Sequence, residues 1–255
     1  MDGADVRRLR VRFVGLAKEY ASRLGEGRVH IDLKRDHSLR VHALASKIVA
    51  GEGLPQPHLY VAAALLHDIG RFPQFERFGT YRDDMSVDHG DEGASFLREN
   101  GFLEGFSERD RACLLDVVRL HNKRELPQGM DPLERSVCDV VRDADKLDIV
   151  PVVLSAMAAD GPCDPVVTLG LADEPGAWTA SVLETVEAGA NPAYADLRYM
   201  NDFKLLLASW GPKLVHRSSR RLFAVRGSLD RIFAILPDSP RFGRLKTVLA
   251  EALAR

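Results

Sequence analysis

Residues Val61 to Phe72 read VAAALLHDIGRF. Six small or apolar residues, with no turn former and no charge, run straight into His67 and Asp68. The stretch therefore predicts a helix buried over most of its surface. An imidazole and a carboxylate at the end of such a helix are costly unless each is hydrogen-bonded, paired or bound to a metal. A metal ion satisfies both groups at once. The plainer alternative is a helix that happens to stop in His-Asp-Ile-Gly, with Gly70 as its C-terminal cap.

On the N-terminal side, Val6 to Leu24 predicts an amphipathic helix with Leu9, Phe13, Leu16, Ala17 and Tyr20 on its inner face. Asp36 to Ala50 predicts the next, with Leu39, Ala43, Ser46 and Ile48 inward, and Gly51 to Pro57 a turn. On the C-terminal side, Pro73 to Asp84 is polar, aromatic and turn-rich, and predicts a loop over the helix end. Ser86 can cap a helix reaching about Asn100, with His89 in its first turn, and Ser107 opens another that runs to His121. After a loop at Leu126 to Pro132, Leu133 to about Ala158 predicts one long helix with a break at Pro151.

Asp160 to Gly176 is the least periodic part, and VVTLGL, residues 166–171, is the only strand-like run, enough for a short hairpin. Thr179 to Ala188, Tyr194 to Trp210, Ser228 to Leu236 and Phe242 to Ala254 complete the chain as helices. Alternating strand patterns are scarce, so the expected fold class is all-α. The expected organisation is a main domain over residues 1–175, with its core at about 30–155, and a C-terminal helical extension, 176–255, packed on the same domain.

The composition sets limits on function. The chain has 255 residues, 45% hydrophobic and 28% charged, which is ordinary for a globular protein. A net charge of -2 provides no global field to attract nucleic acid or an anionic membrane. No signal-like or bilayer-length apolar run is present, so the expected location is cytoplasmic. Cys113, Cys138 and Cys163 are isolated and read as buried small hydrophobes rather than as disulfide partners or a thiolate zinc site. Oligomeric state is not legible at this level.

Four of the eight histidines form a pattern with two aspartates: His37, His67-Asp68, His89, His121 and Asp145. Each sits near the start or end of a predicted helix, and helices of a bundle can point such ends at one place. The donors are nitrogen and oxygen only, which excludes a cysteine-rich structural zinc site and favours Mn, Fe, Mg, Co, Ni or catalytic Zn. Arg71, three residues after Asp68, can reach the same side as a phosphate clamp. Lys123 is a weaker candidate of the same kind. Arg40 either faces the site or pairs with Asp36, and Lys146 and Asp148 read as supporting or surface groups. Asp83, Asp84, Asp88 and Asp91 cluster near His89. One of them can orient an imidazole through its second nitrogen, but a solvated charge run is the simpler reading. Phe72, Phe75, Phe78 and Tyr81 either stack on a base or anchor the loop. The basic run Arg217 to Arg221 reads as solvated surface.

These residues resemble the HD-domain superfamily of metal-dependent phosphohydrolases, over roughly residues 30–155. The match is His37 in DHSLRV, His67 and Asp68 in LLHDIGR, and Asp145 in RDADKLD, while His89 in VDHGDEG and His121 in RLHNKR fit the H…HD…H…H…D subset. The resemblance implies a helical bundle with additional C-terminal helices. It implies one divalent metal held by His37, His67, Asp68 and Asp145, and a second by Asp68, His89 and His121, with Asp68 bridging and acting in catalysis. A metal-bound hydroxide would then attack a phosphate ester of a small molecule such as a nucleotide. Some superfamily members with six such ligands are instead mixed-valent di-iron oxygenases acting on inositol-like or phosphonate substrates. Metal identity and an oxygen requirement separate the two.

Overall fold

The structure is a computed structural model and describes residues 1–158 and 164–255. Cys163 and the first residues of the expected hairpin segment lie outside the described residues. Among the described residues the secondary structure is helical, and extended pairing is limited to an isolated bridge between Ala172 and Tyr199. The fold is all-α. By its contacts the chain divides into two compact units, Met1–Asp148 and Ile149–Arg255.

In the first unit, α1 (Gly3–Arg23) is opened by Asp2, whose carboxylate accepts from the Ala4 and Asp5 amides, and buries Val6, Leu9, Phe13, Ala17 and Tyr20. α2 (Arg28–Glu52) starts well before Asp36. Asp32 pairs with Arg28 and Arg35 one turn either side, which supports this polar first part as helix. Its buried face matches the expected one at Ile48 alone. Val41, Leu44, Ala45 and Ile48 form a stripe at helical spacing, continuing to Ile31 and His37, whereas Leu39 is half-buried and Ala43 and Ser46 are exposed.

α3 (Pro57–Leu66) has Pro57 at its start, where a missing N–H costs nothing, and buries every residue from Leu59 to Leu66. It lies against α1, α2 and α6. Residues 67–70 then form a tight corner leading directly into α4 (Arg71–Phe78). Gly70 has φ −65°, ψ −17°, so it opens α4 rather than capping α3 in a left-handed conformation. The region expected to be a loop is thus half helix. Pro73 falls in the first turn of α4, where proline is tolerated, and Phe72, Pro73, Gln74 and Phe75 are buried. The loop proper begins at Gly79, in the left-handed region at φ 63°.

α5 (His89–Glu99) is capped by Asp88, not Ser86; the Asp88 carboxylate accepts from the Gly90 and Asp91 amides. α6 (Glu108–Leu120) opens at Ser107 as expected, with the Ser107 hydroxyl accepting from the Asp110 amide. α7 (Pro132–Met157) carries Asp148, the last residue of the first unit, and runs on unbroken through Pro151, which belongs to the second. Val150, Val153 and Leu154 are buried on either side, which holds the helix together across one lost hydrogen bond.

In the second unit, the strand-like VVT instead coils into the single turn α8 (Pro165–Thr168), capped by Asp164 and ended by Leu169 at φ 61°. α9 (Ala180–Glu187) and α10 (Met200–Trp210) follow, with Tyr194–Asp196 a separate short turn ahead of α10. The carboxylate of Asp202 is fully buried, and accepts from the Thr179 amide and hydroxyl and from the Arg198 and Tyr199 amides at 2.7 to 3.0 Å. It ties the starts of α9 and α10 together. α11 (Arg217–Val225) takes up the basic run that reads as mere surface in the sequence, with Ser219 and Phe223 turned inward. α12 (Ser228–Phe233) and α13 (Pro240–Ala254) complete the unit.

Candidate metal centre

All six residues singled out in the sequence come together in the first unit. His37 lies within α2 and Asp145 within α7, not at helix ends, whereas His67 and His121 directly follow α3 and α6 and His89 begins α5. The four imidazoles are buried, at 1 to 6% side-chain exposure, and form a row. Ring centroids are 5.2 Å apart for His37 and His67, 5.0 Å for His67 and His121, and 4.9 Å for His121 and His89.

Every Nδ1 in the row is tied. His67 and His121 use carbonyls of their own helices, Ala64 at 2.8 Å and Val118 at 2.7 Å. His37 and His89 instead meet carboxylates, Asp148 at 2.8 Å and Asp83 at 2.6 Å. Each carboxylate is held by an arginine. Arg40 donates to both oxygens of Asp148 at 2.8 and 2.9 Å, and Arg71 to Asp83 at 2.8 Å. With Nδ1 occupied, each ring presents Nε2 to the middle of the cluster.

Asp68 sits there, with only 4% exposure. Its two oxygens face different pairs of rings. Oδ2 is 3.6 Å from His37 Nε2 and 3.7 Å from His67 Nε2, whereas Oδ1 is 3.4 Å from His89 Nε2 and 3.7 Å from His121 Nε2. Asp145 Oδ1 lies 3.1 Å from His37 Nε2 and 3.7 Å from His67 Nε2. Neither contact is aligned as a hydrogen bond, so both of these Nε2 atoms are buried without a partner. His89 Nε2 and His121 Nε2 converge to 3.1 Å. Donor atoms of His37, His67 and Asp145, and of His67, Asp68 and His121, each gather within 4.8 Å of one another. Orphaned nitrogens and converging carboxylates of this kind are what a divalent cation satisfies, and the nitrogen and oxygen donor set suits a metal with exchangeable positions.

The charges follow from this packing. Burial opposes ionisation of Asp68, yet Lys34, His67, His121 and Arg71 hold its carboxyl well below the usual range. Burial acts the same way on Asp145, and the His37 and His67 rings beside it likewise hold it well below. For His37, burial favours the neutral ring, but Asp145 and Asp148 outweigh it and raise the pKa. Burial, with Arg71 next, lowers that of His89 to about 3, and burial lowers that of His121.

Several residues around the cluster were not legible in the sequence, or were read differently. Lys34 Nζ lies 2.7 Å from Asp68 Oδ2, and nothing in its local sequence marks it. Asp83 belongs to the acidic run that reads as solvated, but it orients His89. Arg40 pairs with Asp148, not Asp36. Gln74, fully buried, accepts from Arg71 and donates to Asp83, Ser86 and the Val87 carbonyl, fastening the 79–88 loop. Phe72, Phe75 and Tyr81 are buried as anchors, and Phe78 is exposed. The Arg71 guanidinium points Nε toward Asp68 Oδ1 at 3.5 Å, while its Nη1 is engaged by Gln74, the Tyr81 carbonyl and Asp83. Lys123 pairs with Asp88 and Asp91 at 2.7 and 2.9 Å.

Glycines let these elements meet. A Cβ on Gly70 would lie 2.2 Å from the His89 carbonyl oxygen and 2.5 Å from the Gly93 nitrogen; one on Gly90 would lie 2.8 Å from the Arg119 carbonyl. The start of α5 is thus wedged between the His67–Asp68 corner and the end of α6. Asn122 and Lys123, just after His121, both bond Asp88, which locks that arrangement.

No curated protein and no solved structure matches the chain. A family model, HD domain, matches residues 35–150, a span that holds all six residues of the cluster. HD domains bind divalent metals, and the buried histidine and aspartate cluster fits such a site. Residues 35–150 of this chain are therefore an HD domain.

Proposed function

We propose that this protein is a metal-dependent phosphohydrolase that cleaves a phosphate ester of a small molecule, such as a nucleotide, at a dinuclear site. The observation that carries the reading is Asp68, whose two oxygens each face one pair of imidazole Nε2 atoms. A carboxylate can serve two cations in this way and an imidazole cannot. His37, His67, Asp68 and Asp145 would hold one metal, and Asp68, His89 and His121 the other. When bound, such metals supply Lewis acidity, ionising water near neutral pH and neutralising charge on a phosphoryl group.

The chain's own residues do the rest. Asp148 and Asp83 fix the tautomers of His37 and His89 so that Nε2 carries the free lone pair. Arg71 has one end anchored on Asp83, and its buried Nε–H, 3.5 Å from Asp68 Oδ1, makes no hydrogen bond, which supports a role toward a substrate oxygen beside Asp68. Lys123 is left out of the substrate set, because its ammonium is committed to Asp88 and Asp91.

Metal analysis of protein purified without chelator, alongside Asp68→Ala, tests this reading. Wild type should carry about two equivalents and the variant less than one. Loaded wild type should hydrolyse members of a phosphomonoester and phosphodiester panel. Less than one equivalent in wild type after metal is added back refutes the site. Two equivalents of iron with substrate-dependent oxygen uptake refute the hydrolase and give the oxygenase.

A further inference from the structure

Lys34 stands one turn before His37 on α2, with its ammonium 2.7 Å from Asp68 Oδ2. That oxygen is the one facing His37 and His67. Lys34 and Asp145 are also the members of the cluster that reach solvent, at 18 and 21% exposure against 1 to 6% for the imidazoles. The site therefore reaches solvent beside Lys34 and Asp145. The ring of Tyr81 lies 5.2 Å from Nζ, and its hydroxyl is anchored on the His30 carbonyl, so the lysine stem runs beside a fixed wall.

We propose that Lys34 is a displaceable counter-cation that becomes a substrate-binding residue. This rests on the metal reading above. Without metal, the ammonium neutralises Asp68. A divalent cation taking Oδ2 removes that attraction and repels the ammonium. Nζ then turns to the solvent side, where it meets an anionic oxygen of the substrate, of the phosphate class. Lys34 would thus couple the two binding events: metal frees the group that receives the anion. A purely structural lysine would stay on Asp68 in both states.

The test uses full-length protein, Mn(II) and inorganic phosphate as probes. In wild type, acylation of Lys34, read by mass spectrometry, should rise on Mn(II) loading and fall again when phosphate is added. Unchanged or reduced labelling on loading overturns the displacement, and this measurement needs no variant. In Lys34→Met, Mn(II) should bind several-fold more tightly, because the competing cation is gone, while phosphate should bind the loaded protein about tenfold more weakly. Lys34→Arg should keep phosphate binding within about threefold of wild type. Equal phosphate affinity in loaded wild type and Lys34→Met overturns the role of Lys34 alone. Wild type that takes up no Mn(II) overturns the dinuclear reading as well.

Discussion

Gly70→Ala should remove the second metal while leaving a folded protein. Gly70 has an ordinary helical φ of −65°, so its backbone does not require glycine. Space does. An alanine Cβ would stand 2.2 Å from the His89 carbonyl oxygen, and real Cβ contacts essentially never fall under 3.0 Å, so α5 must back away by at least 0.8 Å. The obstacle is backbone on both sides and no side chain can swing clear. Metal–ligand distances tolerate only about 0.2 Å, several times less than the displacement imposed on His89. Affinity at the His89–His121 side should therefore fall by a factor of about 100 or more, and overpacking should lower stability by about 1–3 kcal/mol. Metal titration with a thermal melt on the same samples reads both. Gly15→Ala, whose added Cβ meets nothing within 4 Å, is the control and should gain up to about 1 kcal/mol with unchanged metal binding. Two equivalents at wild-type affinity in Gly70→Ala would refute the close-packing argument.

Asp83→Asn and Asp148→Asn should each weaken one metal by about 10–100-fold, the first on the His89 side and the second on the His37 side. Competitive titration at two resolved affinities distinguishes that outcome from an equal loss of both. Lowering pH should release the His37-side metal first. The raised pKa of His37 means that protons compete for it soonest, while His89, lowered to about 3, stays neutral through the same range. Simultaneous loss of both metals in a pH series would contradict this order. In the second unit, Asp202→Ala strands the buried donors of Thr179, Arg198 and Tyr199, and should cost about 3 kcal/mol or more in denaturant unfolding. A change under 1 kcal/mol would mean that water replaces the carboxylate.

The six residues of the buried cluster were legible because histidine is a rare type and each belongs to a recognisable local pattern: an apolar helix running into His67-Asp68 stands out in any chain. What supports them was not. Lys34, Asp83 and Asp148 are ordinary charged residues in charged surroundings, and only tertiary contact selects each from its neighbours. Asp83 is the clear case, one of four aspartates near His89, distinguished by Arg71 and Gln74 holding it under the ring. Helix limits failed where local signals were ambiguous. Pro73 reads as a breaker but occupies a first turn, Pro151 is carried through by buried neighbours, and VVT has strand propensity but too little length to pair. On α2 the polar start concealed a turn held by Asp32 ion pairs, and of the expected inward residues Ile48 is buried while Leu39, Ala43 and Ser46 lie off the buried stripe.

The different tethers on the four imidazoles have a consequence for folding. His67 and His121 take their orientation from carbonyls three residues back, so they are set as soon as their own helices form. His89 waits for a loop of six residues to close on Asp83. His37 waits for Asp148, 111 residues away, and so for the docking of α7 on α2, the slowest kind of closure for a chain. The centre is thus completed in stages, and its His37 side exists only in the fully assembled unit. Metal taken up there would act as a latch on the last step of folding, stabilising the native state in proportion to the logarithm of metal concentration.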